Sequence, residues 1–490
     1  MTHKRLSTAA VGATLALSLS ACGADLTSIN VNPNAPTDVS ADYLFPQGVT
    51  ALVGTMRGTG FDMTMTSLWS QHYAKIQYVD EDWYDIRPGT IDGWWSGLYS
   101  GGLQDLAQAA EKAAAASNPN KAAPATIVRS WALGVMTELW GDIPYSEANK
   151  ADKEGGTTTP KYDAQKDIYT GLFANLKSAH DQIGTGTTYG SADPIYGGSM
   201  TKWKKFANSL RARNAMRLSK RDPATAQAQL TAALAAGVFT SNDDDAKLVW
   251  PGDGTNDSPI YSNARPPDGK GTRDDHRVSK TLVDTLKGLS DPRLAVYAQC
   301  TDVSKAGGGC EYVGVPNGLT SPAAVALGFT KTSKIGKVFH DPSAPSWLMA
   351  YPEVLFIQAE AAQRGWITGS AAAFYNAGIT ASMQQWGVSA SAIATYLAQP
   401  RVAYNPTTGY TQIALQKWIA LFGQGSDAWA EYRRTGVPNL TAGPAAIIPT
   451  VARRLTYPLS EQSFNKANLD AAIAAQGGAA LTNRVWWDSP

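Results

Sequence analysis

Groups able to move protons or hold metals are sparse in this chain. It has five histidines, His3, His72, His180, His276 and His340, and none stands at the spacing of a metal-binding pair. No nucleophile elbow, phosphate loop or dinucleotide fingerprint stands in a convincing context. The carboxylate pair that comes nearest to acid–base chemistry is Glu353 and Glu360. On one expected helix they share a face, yet they lie roughly 10 Å apart along it. Glycoside hydrolysis needs two carboxyls about 5 to 9 Å apart across a cleft. The chain reads as non-catalytic, and no cofactor and no metal ligand is assigned.

Aromatic residues offer a different chemistry. Trp69, His72, Tyr73, Tyr78, Trp83, Tyr84, Trp94 and Trp95 are interleaved with Gln77, Asp80, Glu81, Asp82, Asp85 and Arg87. A sugar ring presents C–H faces that stack on aromatic faces, and its hydroxyls need polar partners, so such a platform suits a glycan. The flanking charges argue that Tyr78, Trp83 and Tyr84 are exposed. Trp69 and Tyr73, one turn apart, are candidates too, but they read equally as core, as do Trp94 and Trp95. A second candidate patch lies in a long polar loop: Tyr261, Asn263, Arg265 and Asp268, with Arg273 and His276. The alternative for that loop is a disordered or channel-facing segment. The expected ligand-binding set is Tyr78, Trp83, Tyr84, Trp69, Tyr73, Tyr261 and Arg265.

The three cysteines divide into two roles. Lys4 and Arg5 precede an apolar run over 9–19, and Leu19-Ser20-Ala21 leads directly into Cys22. This is the order of a secretory signal, too short to span a bilayer, and it resembles a bacterial lipobox. Residues 1–21 are then a signal peptide, Cys22 the lipidated N-terminus, and 22–41 a tether in which Pro33 and Pro36 block helix. The alternative is an ordinary signal with a chance cysteine. Cys300 and Cys310 flank the flexible tip 305–309, and in an oxidising compartment they are expected to form a disulfide. Two free thiols are the other reading.

A net charge of +1 and a charged fraction of 17%, against about a quarter in ordinary domains, supply no field for nucleic acid. After residue 22 no apolar stretch approaches a spanning helix.

The elements that must position these groups are mostly helices. One is expected after Asp42, through Leu44, Val49, Leu52 and Val53. Asp163 is the expected cap of another, with Ile168, Leu172, Leu176, Ala179 and Ile183 on one face. Thr201 is the expected cap of the next, with Trp203, Phe206, Leu210 and Leu218 inward. The basic residues of that helix, including Arg211, Arg213 and Arg217, read as a solvated or ion-paired face. Segments 353–364 and 371–386 form a helix pair near the period of a tetratricopeptide repeat, and 412–422 with 427–434 form a second. Short strands are expected around Val313 and near Trp486. The fold class is mainly α: a tetratricopeptide-like scaffold of helix pairs, a loop-rich ligand-binding part and few short strands.

Several segments together resemble the SusD/RagB family of outer-membrane lipoproteins. They are 30–36, 138–148, Lys202-Trp203, and 206–210 with Arg211, Arg213 and Arg217. Asp291-Pro292-Arg293, Glu360-Ala361, Arg364-Gly365-Trp366 and Gln416-Lys417-Trp418 follow. Last come 431–438, 454–458 and Trp486-Trp487-Asp488. Most of these look structural: Gly141 and Pro144 end a helix, and Arg433 and Arg434 can fork onto carboxylates or helix-end carbonyls. The resemblance implies one helical domain over 42–490 and a lipid-anchored protein at the cell surface. It implies capture of an oligosaccharide or peptide, and a lid role over a SusC-type TonB-dependent transporter. A surface glycan hydrolase and a ligand-free helical scaffold are the alternatives.

Overall fold

The computed structural model describes residues 38–489. The expected signal peptide, Cys22 and nearly all of the tether lie outside them. Helix α1 (Ala41–Met56) buries Leu44, Val49, Leu52 and Val53 against α2 (Leu103–Ala115). Packing then proceeds in chain order through α3 (Pro119–Trp140), α4 (Gln165–Gln182), α5 (Met200–Arg217) and α6 (Pro223–Ala236). Helix α5 also meets α7 (Tyr351–Gln363), which packs on α8 (Ala371–Gln385) and α9 (Gly409–Ala420). Finally α10 (Gly425–Thr435) touches both α9 and α3. The mainly helical class and its helix pairs are as the sequence indicates.

The helix α4 buries Ile168, Leu172, Leu176 and Ala179, the face its periodicity marks. Its cap is different from expectation. Asp163 lies in a strand and accepts the backbone N–H groups of Tyr145 (3.1 Å) and Ser146 (2.7 Å). The first N–H of α4, from Gln165, instead goes to the carboxylate of Asp142 at 2.8 Å, so the 141–144 turn supplies the cap from another segment. Likewise α5 starts at Met200 behind Ser199, with no side-chain cap from Thr201. Pair α7/α8 is held closely by Gly378, where a Cβ would fall 2.8 Å from the Phe356 ring. Phe356, Tyr375, Ile379 and Met383 form the core beneath, each such side chain contributing about 1.5–3 kcal/mol by burial.

Among the described residues, strands form three antiparallel pairs. Strand β1 (Tyr73–Lys75) pairs with β5 (His276–Val278), β2 (Ile143–Pro144) with β3 (Tyr162–Asp163), and β4 (Ala246–Leu248) with β6 (Ser346–Met349). No strand forms at Val313 or Trp486. Val313 exchanges single bonds with Ser333, and Trp486 stacks under Arg221, 5.6 Å away. Cys300 and Cys310 are joined, with Cα atoms 5.0 Å apart.

Of the basic residues of α5, Lys202, Lys204 and Lys205 stay half-exposed, while Arg213 and Arg217 turn inward as ion-paired residues. Arg217 meets Glu138 of α3 at 2.9 Å and Glu431 of α10 at 3.1 Å. Arg213 meets Glu353 of α7 at 2.5 Å and Asp427 of α10 at 3.1 Å. Arg57 meets Asp427, Lys417 meets Glu431, and Arg434 bridges Glu360 and Glu431. The five bases Arg57, Arg213, Arg217, Lys417 and Arg434 face the five acids Glu138, Glu353, Glu360, Asp427 and Glu431. The fully buried charges therefore stand five against five, which offsets the cost of taking them out of water, and the less buried Arg364 adds a sixth base on Glu360 at 2.8 Å. Glu353 and Glu360 are consumed as ion-pair partners here, in agreement with their reading as scaffold. Arg433 instead donates to the backbone oxygens of Glu138 (2.7 Å) and Arg453 (2.8 Å), a helix-end role.

Candidate functional site

The aromatic segment splits between core and surface. Trp69 is 1% exposed; its indole N–H donates to the Glu81 carbonyl at 2.9 Å, and its ring edges onto Trp429 and Tyr84. Tyr73 is equally buried against Phe422. Tyr84 has a left-handed backbone, φ 70°, which turns its ring into the interior, where it is 4% exposed. The structure thus removes Trp69, Tyr73 and Tyr84 from the surface, because an aromatic face already packed in the core has none left for a ligand. Trp83 is half-buried and donates to the Leu319 carbonyl at 2.6 Å. Tyr78 is 51% exposed, and the Arg273 guanidinium carbon lies 4.3 Å from its ring centre, a cation–π contact. That contact joins the aromatic segment to the 261–276 loop, as does the pairing of β1 with β5.

His72 is fully interior. Its Nε2 donates to the Trp418 carbonyl at 3.0 Å, while Nδ1 is buried without a partner. Burial pushes its pKa down to about 3, only partly opposed by that carbonyl. The unfolded histidine takes up a proton below about pH 6.5, but the folded one does not until about pH 3. His72 therefore withdraws stability as pH falls between those values. Asp62 and Asp82, raised to about 6 chiefly by burial, act in the opposite direction over part of that range. The difference between wild type and His72→Gln isolates the histidine. We expect the variant to gain on the order of 1–2 kcal/mol relative to wild type on going from pH 7 to pH 5, read from urea denaturation at each pH. An unchanged difference would mean that His72 is charged in the fold.

An open cleft of about 450 Å³ lies where the chain leaves α1. It is lined by the 54–61 segment, Trp94, Pro259, Ser262 and Asn263. Gly58 makes the turn possible, since a Cβ there would meet the Gly54 carbonyl oxygen at 2.2 Å. Trp94 is half-exposed and held edge-on by Phe61, with centroids 5.1 Å apart. Its neighbour Trp95 points the other way and packs on Trp140. Thr55, Thr59, Ser262 and Asn263 supply hydroxyl and amide groups beside the indole. The volume falls in the range of about 300–1,000 Å³ that holds small ligands. No acid or histidine is among the lining residues, so the cleft can bind but has no group for proton transfer.

Asn263 is shared with a tighter space of about 20 Å³, room for about one water, between the 264–276 loop, Lys334 and His340. Charges there are internally matched. Arg265 meets Asp274 at 2.9 Å, Arg273 meets Asp275 at 2.9 Å, and Lys334 meets Asp268 at 2.7 Å. Arg265 is exposed, and Tyr261 is half-buried in the short helix Pro259–Asn263. The two sequence patches therefore meet, but through Trp94, Asn263, Tyr78 and Arg273 rather than through the buried tyrosines. Sequence reasoning passed over Gly58 to Phe61; the glycines at 54, 58 and 60 were the available signal of a close turn.

These features belong to a known class. The sequence model of the SusD-like family, described as "Starch-binding associating with outer membrane", matches residues 33–458, and this chain belongs to that family. Its fold is similar to a solved chitin-binding protein, with TM-score 0.78 and 29% identity over 91% of this chain and 100% of that one. It is also similar to a chitin-binding SusD homolog from Flavobacterium johnsoniae, with TM-score 0.77 and 28% identity over 90% and 98% of the two chains. A SusD homolog from Bacteroides uniformis shares the fold at 24% identity, TM-score 0.78, over 91% and 100%. No curated protein matches the sequence.

Proposed function

We propose that this protein is a non-enzymatic, lipid-anchored receptor at the cell surface that captures an oligosaccharide and acts as the lid of a SusC-type TonB-dependent transporter. The observation that carries the glycan reading is the open cleft in which the half-exposed Trp94 stands beside Asn263, Ser262, Thr55 and Thr59 with no acid or base. An indole face and a hydrogen-bonding rim match the two surfaces of a sugar ring. Two solved relatives of 28–29% identity carry chitin-binding titles, which makes N-acetylglucosamine oligomers the first ligand to try. Binding would move the lid only as far as the ligand prefers its closed state over its open one.

The test is calorimetric titration of a chito-oligosaccharide series, with Trp94→Ala alongside. Loss of one stacking ring is worth on the order of 1 kcal/mol or more, so affinity should fall at least several-fold while thermal unfolding moves little. Ligand recovered after long incubation should be intact. Equal affinity in Trp94→Ala would place the glycan elsewhere, and cleaved products from pure protein would end the non-enzymatic reading.

A further inference from the structure

A second cleft, of about 230 Å³, lies away from the first, between α2, α3, α4 and the turn that follows β2. Its distinctive feature is Arg129. Arg213, Arg217, Arg433 and Arg434 meet carboxylates or backbone oxygens, and Arg211 bonds the amide oxygens of Asn208 and Gln229. Arg129 has one long bond, from Nη2 to the Asn149 amide oxygen at 3.3 Å, and its Nε is buried with no acceptor. The acid nearest in the lining, Glu111, is already engaged with Lys153 at 2.8 Å. A guanidinium kept half-buried without a counter-charge is costly to the fold.

The turn around it is built with care. Asn149 adopts a left-handed backbone, φ 62°, and its amide N–H donates to the Tyr99 carbonyl at 2.7 Å. This fixes its oxygen over Arg129. Exposed Lys150 stands at the rim, tied to the Ser146 carbonyl at 2.7 Å. Ser130 and Asn175 add a hydroxyl and an amide to the walls. Arg129 thus faces a space lined otherwise by neutral polar groups, alanines, Lys150 at the rim and Glu111, whose charge Lys153 matches.

We infer that this cleft binds a small carboxylate ligand, clasped by the Arg129 guanidinium with Lys150 at its rim. A guanidinium fork matches a carboxylate in two parallel hydrogen bonds. The space is smaller than the roughly 300 Å³ at which drug-sized sites begin, so the ligand is small, with a single uronic acid ring as the size-matched example. This inference does not depend on the Trp94 cleft.

The experiment titrates the purified protein at low salt with D-glucuronate and, separately, with D-glucose, which lacks the carboxylate. Glucuronate should bind at least tenfold more tightly than glucose. Arg129→Met should abolish that preference while melting no lower than wild type, since it removes an unpaired buried cation; a residue kept for structure would melt earlier. Lys150→Ala, at the exposed rim, should weaken glucuronate several-fold with no change in melting, and Trp94→Ala should leave it unchanged. The inference is overturned by no binding of glucuronate, by equal binding of the two sugars, or by glucuronate binding that survives in both Arg129→Met and Lys150→Ala.

Discussion

Glu431→Gln is expected to cost the fold about 3–5 kcal/mol, the range for removing one partner from a buried ion pair. Glu431 is fully interior and meets Arg217, Lys417 and Arg434 at 3.1, 3.1 and 2.5 Å. Burial alone raises its pKa, but Arg434, Lys417 and Arg217 outweigh that and hold the carboxyl far below the usual range. The neutral amide would leave three cations facing too little negative charge. The pH dependence follows from the sign. Because the folded pKa is depressed, the contribution is complete above the unfolded value of about 4.3 and is lost as pH falls through the folded one. Denaturant midpoints at pH 7 measure the effect, with the exposed pair Lys177 and Asp181 of α4 as control. Lys177→Ala should cost well under 1 kcal/mol. A loss below about 1 kcal/mol in Glu431→Gln would mean that solvent reaches the network.

Cys22→Ser should release the protein from membranes or leave it unprocessed. The lipobox-like order of Leu19-Ser20-Ala21-Cys22 motivates this, and no helix of the described residues is long and apolar enough to cross a membrane. Acyl chains on Cys22 would then be the anchor, and serine offers no thiol to acylate. Fractionation of cells expressing the variant should find it released or unprocessed, where wild type sediments with membranes and yields an acylated N-terminal peptide. Normal acylation and membrane retention of Cys22→Ser would defeat the anchor assignment.

Local periodicity made the helices legible. Ile168, Leu172 and Leu176 declare the buried face of α4, and the alanines of 353–364 announce close helix packing. Caps were less readable, because the group that caps α4 is Asp142, on a separate turn, and nothing near Gln165 reveals it. The ion network was half visible: Arg213, Arg217, Glu431 and Arg434 stood out as motif residues. Glu138, Glu360 and Lys417 lay in the same motif segments, but who pairs with whom did not show, since Arg217 reaches Glu138 across 79 positions and Glu431 across 214. The exposure of Tyr84 was misjudged for a related reason. Charges flanking Tyr84 suggested solvent, yet Asp82 beside it is itself buried, bonded by the Asn317 amide at 2.8 Å. Trp94 and Trp95 looked alike in sequence, and only the helix that carries them decides which ring faces outward.

Arg57 and Asp427 are 370 positions apart, and that separation governs when the chain can finish folding. As the polypeptide is made from its N-terminus, Arg57, Arg213 and Arg217 emerge long before Asp427 and Glu431. Glu138 is already in place for Arg217, and Glu353 reaches Arg213 earlier, but Arg57 lacks its ion-pair partner until Asp427 arrives; drawing it out of water before then is unfavourable, and the loop that must close is nearly the whole molecule. The native interior is therefore withheld from the growing chain until its last helices exist. For the exported receptor proposed above, which would cross a membrane unfolded, this network would be a chemical reason to delay.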